Sequence, residues 1–155
     1  MPGLSVEIPR GTSRTLVPKL FAEYGISVSW SPDGRSLAYV SFGQLVRDGD
    51  AYVVAATGGE PRLVSRGTHP PLGNPYRAPL WSADGSQLYF LARNSIWRAS
   101  IADGTISEIA TIPGRTITEI VARGNNVGRL FASNAGRSAL VTTRDDATKR
   151  VGFAR

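Results

Sequence analysis

The chain has no cysteine, one histidine and only two lysines among its 18 basic residues. The lack of cysteine excludes disulfide bonds and thiolate metal sites. With a single histidine, any metal site would have to be built from clustered carboxylates. No run of 18 apolar residues is present, so no transmembrane helix is expected, and no signal peptide is visible. The compartment stays open: cytoplasmic, or periplasmic if the natural N-terminus lies further upstream.

The composition favours a folded β protein. In 155 residues, 41% are hydrophobic, and three Trp, five Tyr and five Phe are enough for a packed core. Seventeen Gly and ten Pro are typical of a chain rich in turns. This combination predicts one ordinary domain and argues against disorder.

The net charge of +6 has two interpretations, an acidic partner such as nucleic acid or basic residues dispersed over the surface. The densest basic cluster consists of Arg144, Lys149 and Arg150, and Asp145 and Asp146 interrupt it. No basic run is long enough to indicate a nucleic-acid patch. Dispersed charge is therefore favoured, and neither a nucleic acid nor a membrane is predicted as a partner.

A five-residue stretch is repeated along the chain. Trp-Ser-Pro-Asp-Gly at 30–34 returns 51 residues later as Trp-Ser-Ala-Asp-Gly at 81–85, and five of the twelve residues from each Trp onwards are identical. A third, degenerate copy reads Ser-Asn-Ala-Gly at 133–136, where Ala132 replaces the Trp and Ala135 replaces the Asp. The predicted structural turn residues are Trp30, Asp33, Gly34, Trp81, Asp84, Gly85 and Gly136.

The residue types of this stretch predict a hairpin. Ser, Pro and Asp suit the first three positions of a type I turn, and the Gly that follows accepts a positive φ. Such a turn commonly joins two antiparallel strands. Apolar residues alternate before it, and the apolar runs 37–40 and 88–91 follow it. A second hairpin with a Gly turn follows each copy, at 57–60 and 102–105.

Each repeat therefore contains four strands, an inner hairpin and an outer one. The predicted units are an outer half-blade over 4–20, blades over 24–65 and 78–111, and a truncated blade over 116–155. In the last unit, 117–122 is a candidate first strand, a turn or bulge precedes 129–132, and 138–143 is the second strand. A stack of four-stranded antiparallel blades is an incomplete β-propeller of about three blades, too few to close a ring. The remainder of a propeller, or other copies of the chain, is the expected partner.

The stretch Trp-Ser-Pro-Asp-Gly-x-x-Leu-Ala-Tyr-Val at 30–40 resembles the repeat of TolB-like propellers. The outer turn at 57–63 fits that repeat too, whereas 77–91 and 143–153 are more similar to the N-terminal propellers of prolyl-oligopeptidase-family serine peptidases. The latter resemblance implies a substrate-gating propeller that admits small peptides and caps a separate hydrolase domain, which would hold the catalytic Ser, Asp and His. The alternative is a TolB-like module for protein–protein interaction. The domain that follows the chain would discriminate between them.

No catalytic, cofactor or metal residue is predicted in this chain. The motifs Gly-x-Ser-x-Gly, Gly-x-Gly-x-x-Gly and the Walker loop do not occur. His69 is predicted to be a solvent-facing loop residue rather than part of a triad. Asp48-Gly49-Asp50 could bind a hard cation or a peptide amino group, but a solvated turn is favoured. Trp30, Trp81 and Trp97 could stack on a ligand, but a place in the core is favoured.

Overall fold

The computed structural model describes residues 4–8, 12–17, 27–41, 49–67, 69–70, 72, 78–120, 129–130, 141–145, 147–148 and 151–154. These residues form strands, turns and loops, and none of them is helical. The predicted all-β class is confirmed. Over the described ranges, the search for a helix long and apolar enough to cross a membrane found none.

The first half of the chain forms two sheets. The N-terminal hairpin is a two-stranded antiparallel sheet of β1 (Leu4–Ile8) and β2 (Thr12–Val17). The first sheet is antiparallel and contains, in spatial order, β3 (Val28–Trp30), β4 (Ser36–Ser41), β5 (Asp50–Ala55) and β6 (Arg62–Leu63). Its order follows the chain, as predicted for a four-stranded repeat.

The second sheet repeats this order and gains a fifth strand. Its antiparallel strands are β7 (Leu80–Ser82), β8 (Gln87–Ala92), β9 (Ser95–Ser100) and β10 (Ile106–Thr111). The third sheet has the order β11 (Arg115–Ile120), β13 (Val141–Asp145) and β14 (Val151–Ala154). Between them in sequence, β12 (Arg129–Leu130) pairs with β7 in parallel. The strand that pairs with β13 is therefore β11, and the 129–130 segment completes the inner edge of the preceding sheet instead.

The same register is found in both repeats. Trp30 lies opposite Leu37, and Trp81 lies opposite Leu88. In each turn the Gly amide donates to the Ser carbonyl oxygen, at 2.9 Å from Gly34 to Ser31 and at 3.0 Å in the second copy. The two turn glycines have φ of 70° and 74°, the left-handed region that only glycine adopts without strain. The repeated stretch thus forms the same hairpin twice.

The layers pack face to face in chain order. Ala38, Val40 and Val53 of the first sheet pack against Trp81, Leu88 and Phe90 of the second sheet in one buried cluster. The N-terminal hairpin packs on the opposite face of the first sheet, and its Leu16 and Val17 contact Leu37, Tyr39 and Val54. The third sheet packs on the second through Ile117, Tyr89 and Ile96. This open stack has the layer arrangement of consecutive propeller blades.

The three tryptophans have different environments, and the prediction of a core position was wrong for Trp30. Trp81 is 2% exposed and its Nε1 donates to the Ser29 carbonyl oxygen at 3.1 Å. Trp97 is partly buried beside the same cluster. Trp30 is 44% exposed, because the layer on its side of the first sheet has no strand over the inner edge among the described residues.

Candidate functional site

The two repeated turns both line a groove between the first and second sheets. Its volume is about 440 Å³, and its lining includes Pro32 and Asp33 from one turn and Asp84 from the other, with Arg62 and Ile101 nearby. Gly85 lies beside Pro32, since a Cβ there would be in van der Waals contact with the proline ring at 3.5 Å. The stacking of the sheets therefore brings together two turns that are 51 residues apart in sequence.

In the first turn, the carboxylate of Asp33 accepts its hydrogen bonds locally. The Ser31 hydroxyl donates to Asp33 Oδ1 at 2.6 Å, and the Arg35 amide donates to the same oxygen at 3.0 Å. The Ser36 amide donates to the Ser31 hydroxyl at 2.9 Å. These bonds tie both ends of the turn together, which is the role that the turn sequence predicts for Asp33.

The second turn has the same network. The Ser82 hydroxyl donates to Asp84 Oδ1 at 2.5 Å, the Ser86 amide donates to that oxygen at 3.0 Å, and the Gln87 amide donates to Ser82 Oγ at 3.0 Å. The Ser86 hydroxyl adds a bond to Asp84 Oδ2 at 2.9 Å. Both Asp residues are thus acceptors within their own turns.

These hydrogen bonds favour the ionised form of both carboxylates. The bond from the Ser31 hydroxyl, followed by that from the Arg35 amide, lowers the pKa of Asp33. The bond from the Ser82 hydroxyl, followed by those from Ser86, lowers the pKa of Asp84 to about 2. A carboxyl group with so low a pKa carries no proton to donate at neutral pH, so neither residue suits general acid catalysis. The lining of the groove therefore includes two negative charges and the Arg62 side chain.

His69 does not face solvent, and that prediction was wrong. Its side chain is only 8% exposed, and Nε2 lies 3.4 Å from Asp50 Oδ1 and 3.1 Å from the Ser65 carbonyl oxygen. Nδ1 lies 2.8 Å from the carbonyl oxygen of Pro70. The chain after β6 continues beside the start of β5, where the Val64 amide donates to the Ala51 carbonyl oxygen at 2.8 Å. No motif around His69 signals this contact, because it depends on how the segment packs.

The contact between His69 and Asp50 does not extend to a catalytic triad. The hydroxyl of Ser65 donates weakly towards Asp50 at 3.5 Å and accepts the Ala51 amide hydrogen at 3.0 Å. Ser65 is 2% exposed, and His69 contacts its carbonyl oxygen rather than its hydroxyl. A nucleophilic serine needs its hydroxyl in contact with the base and open to substrate. This cluster meets neither requirement.

The predicted carboxylate pair and the third turn are described only in part. Asp48 and Gly136 lie outside the described residues, whereas Asp50 is at the start of β5 and contacts His69. Gly49 approaches the backbone of Leu72, which donates its amide hydrogen to the Gly49 carbonyl oxygen at 3.1 Å. Among the residues that the structure describes, no three His, Cys, Asp or Glu side chains are grouped closely enough to hold a metal ion.

Comparison with known proteins identifies the fold. The TolB structure from Acinetobacter baumannii superposes with a TM-score of 0.56 over 95% of this chain at 21% sequence identity. The fold is that of part of a TolB-like β-propeller. This TolB-like segment corresponds to 36% of the A. baumannii chain. It is also 44% identical over 62 residues to "Uncharacterized peptidase YuxL" of Bacillus subtilis (strain 168), a match that covers 38% of this chain and 8% of YuxL. No family model matches the sequence.

Proposed function

We propose that this TolB-like segment is a non-catalytic part of the propeller of a prolyl-oligopeptidase-like serine peptidase, where it restricts access of substrates to a separate hydrolase domain. The match to a protein named as a peptidase supports this proposal, although it covers a small part of that protein. The resemblance of 77–91 to peptidase propellers points in the same direction. In this role, the segment selects peptides by size and leaves bond cleavage to the hydrolase domain.

The observation that carries the proposal is the use of polar groups in the groove between the repeated turns. Each turn serine and aspartate is bonded to its own turn, and no exposed serine–histidine contact occurs among the described residues. Such side chains maintain the shape of a loop and have no free group for acid, base or nucleophilic catalysis. This geometry fits a rigid surface that substrates move past without reacting.

The packing between the sheets also fits a role in selecting substrates by size. The first and second sheets share one buried cluster, and the Trp81 indole links them through a hydrogen bond to Ser29. Packed interiors resist deformation, so adjacent sheets joined in this way do not separate easily to admit a folded protein. Substrates that are short and extended remain the ones that can pass.

The test uses the full-length protein that contains this segment. We expect kcat/KM to fall by about tenfold or more between a short peptide and a long polypeptide with the same cleavage sequence. The 155-residue chain alone, as a control, should cleave neither a proline-containing dipeptide reporter nor the longer substrates. Equal kcat/KM values for short and long substrates would contradict the gating role, and cleavage by the isolated chain would contradict the non-catalytic one.

The groove itself favours a second candidate, a TolB-like interaction module. The two ionised aspartates and Arg62 at the groove form a charged surface that a partner protein could recognise. The full reading frame discriminates between the candidates. A hydrolase domain with a Gly-x-Ser-x-Gly elbow after the propeller supports the peptidase role, whereas a chain that ends after further blades supports the interaction module.

A further inference from the structure

The chain between β6 and β7 joins the first sheet to the second, and two of its residues attach it to the start of β5. The imidazole of His69 lies 3.4 Å from Asp50 Oδ1. The Leu72 amide donates to the Gly49 carbonyl oxygen at 3.1 Å, and the Leu72 side chain is fully buried in the cluster that both sheets share. The attachment through His69 uses a side chain whose charge changes near neutral pH.

Both nitrogen atoms of the His69 ring face oxygen atoms that accept hydrogen bonds. Nδ1 lies 2.8 Å from the Pro70 carbonyl oxygen, and Nε2 lies 3.1 Å from the Ser65 carbonyl oxygen and 3.4 Å from Asp50 Oδ1. A neutral imidazole has one N–H and one lone pair, so the nitrogen without a proton turns its lone pair towards an oxygen. The imidazolium form has an N–H on each nitrogen and satisfies both sides. The contacts therefore match the charged ring.

The other charged and titratable groups nearby leave Asp50 as the described side chain that pairs with the ring. Tyr52 is also on β5, and burial, followed by the charge of Asp50, raises the pKa of its phenol, so it is neutral where a histidine titrates. The Arg66 side chain packs on Gly104, in the turn after β9. Burial disfavours charge on a ring that is 8% exposed, whereas the Asp50 carboxylate and the carbonyl oxygens favour it.

We propose that His69 is a pH-sensitive attachment that holds the chain between β6 and β7 to β5 while its ring is protonated. The charged ring donates to the Pro70 carbonyl oxygen on one side and to the Ser65 carbonyl oxygen and the Asp50 carboxylate on the other. Loss of one proton as the pH rises replaces an N–H by a lone pair and removes the contact on that side. The segment is then held by Leu72, and the buried cluster between the sheets stays intact.

The first test is the protonation state of His69 in the folded 155-residue chain. His69 is the only histidine in the sequence, so nitrogen NMR of the chain labelled with ¹⁵N-histidine reports on this ring. At about pH 7 we expect both ring nitrogens to show the chemical shifts of the imidazolium form, whereas in urea most rings should be neutral, as for a solvated histidine. A ring that is mainly neutral in the folded chain at this pH overturns the inference.

The second test compares urea midpoints at about pH 5.5 and about pH 8.5, on either side of the range in which histidine titrates. His69→Gln retains a polar side chain that carries no charge, and it should lower the midpoint at the lower pH. This difference from the parent should shrink by about half or more at the higher pH, because the stabilisation by a charged ring is lost as the ring deprotonates. A difference that is equal at both pH values would indicate a packing role without the charge and overturns the inference.

The carboxylate partner is tested in the same way. Asp50→Asn should reduce the dependence of the parent's midpoint on pH between the two conditions, because the charged ring then has no ionised partner among its described contacts. Asp103→Asn is the matched control, since Asp103 accepts hydrogen bonds from the amide and hydroxyl of Thr105 in an exposed turn. This control should leave the pH dependence unchanged. An equal effect of both substitutions overturns the inference, and it has no bearing on the size selectivity that tests the proposed function.

Discussion

At the residue scale, the repeated turn is explained by interactions between residues that are close in sequence. The Ser31 hydroxyl bridges the turn, the Asp33 carboxylate accepts two hydrogen bonds, and Gly34 adopts a positive φ. Because all partners are near one another along the chain, the turn can form before distant strands meet. The same residue types in the second copy therefore form the same network.

Glycine is required at positions 34 and 49 for different reasons, a positive φ at the first and close packing at the second. Gly34 has φ of 70° and open space around it, so Gly34→Ala adds only backbone strain and should cost about 1 kcal/mol of unfolding free energy. At Gly49, a Cβ would lie 2.6 Å from the Leu72 carbonyl oxygen, and Gly49→Ala should cost about 3 kcal/mol. Urea denaturation gives both values. Gly34→Asn serves as the control, since asparagine tolerates positive φ and should cost less than alanine. A smaller loss at Gly49 than at Gly34 would contradict this assignment.

The ionised Asp84 should stabilise the fold at neutral pH. Its pKa is lowered to about 2, so its contribution is present above the unfolded-state pKa of about 3.9 and is lost as the pH falls through about 2. The carboxylate is exposed, and solvent screening limits the effect to a fraction of about 1 kcal/mol, on the order of an exposed charge interaction. Asp84→Asn should lower the urea midpoint at about pH 6, with a difference from the parent that shrinks towards about pH 2. A difference independent of pH would mean that the charge of Asp84 has no role.

At the scale of elements, the hydrogen bonds between inner strands join the sheets. β3 and β7 are hydrogen-bonded through the Trp81 indole and the Ser29 hydroxyl rather than through a backbone ladder. Both strands have only three residues, and the two hydrogen bonds between the sheets at this edge come from side chains. These hydrogen bonds therefore add to the buried apolar cluster that packs one sheet on the next.

Trp81→Phe should test this contact. The substitution removes the N–H donor that binds the Ser29 carbonyl oxygen and creates a small cavity, so about 2 kcal/mol of unfolding free energy should be lost. Trp97→Phe is the control, because the Trp97 Nε1 atom is buried with no hydrogen-bond partner in the described structure. It should cost less than Trp81→Phe in urea denaturation. Equal losses would show that the bond to Ser29 contributes nothing to stability.

At the scale of the whole molecule, the described sheets are stacked in chain order. Each sheet packs on its neighbours in chain order, and among the described residues the first layer has two strands and the last has three. In repeat architectures each unit contacts only the adjacent units, so an uncovered end layer affects the units beside it most. The 44% exposure of Trp30 is an example of this effect.

The amino-acid sequence alone was sufficient for the all-β class, the four-strand order and the two hairpin turns, because periodic apolar residues and Ser-x-Asp-Gly act over a few residues. Only the tertiary structure decided which of two equivalent tryptophans is buried, since burial depends on the layer that covers each one. The contact of His69 with Asp50 and the pairing of β12 with β7 likewise join residues separated by 19 and by 48 positions. The groove between Asp33 and Asp84 exists only because stacked sheets bring the repeated turns together.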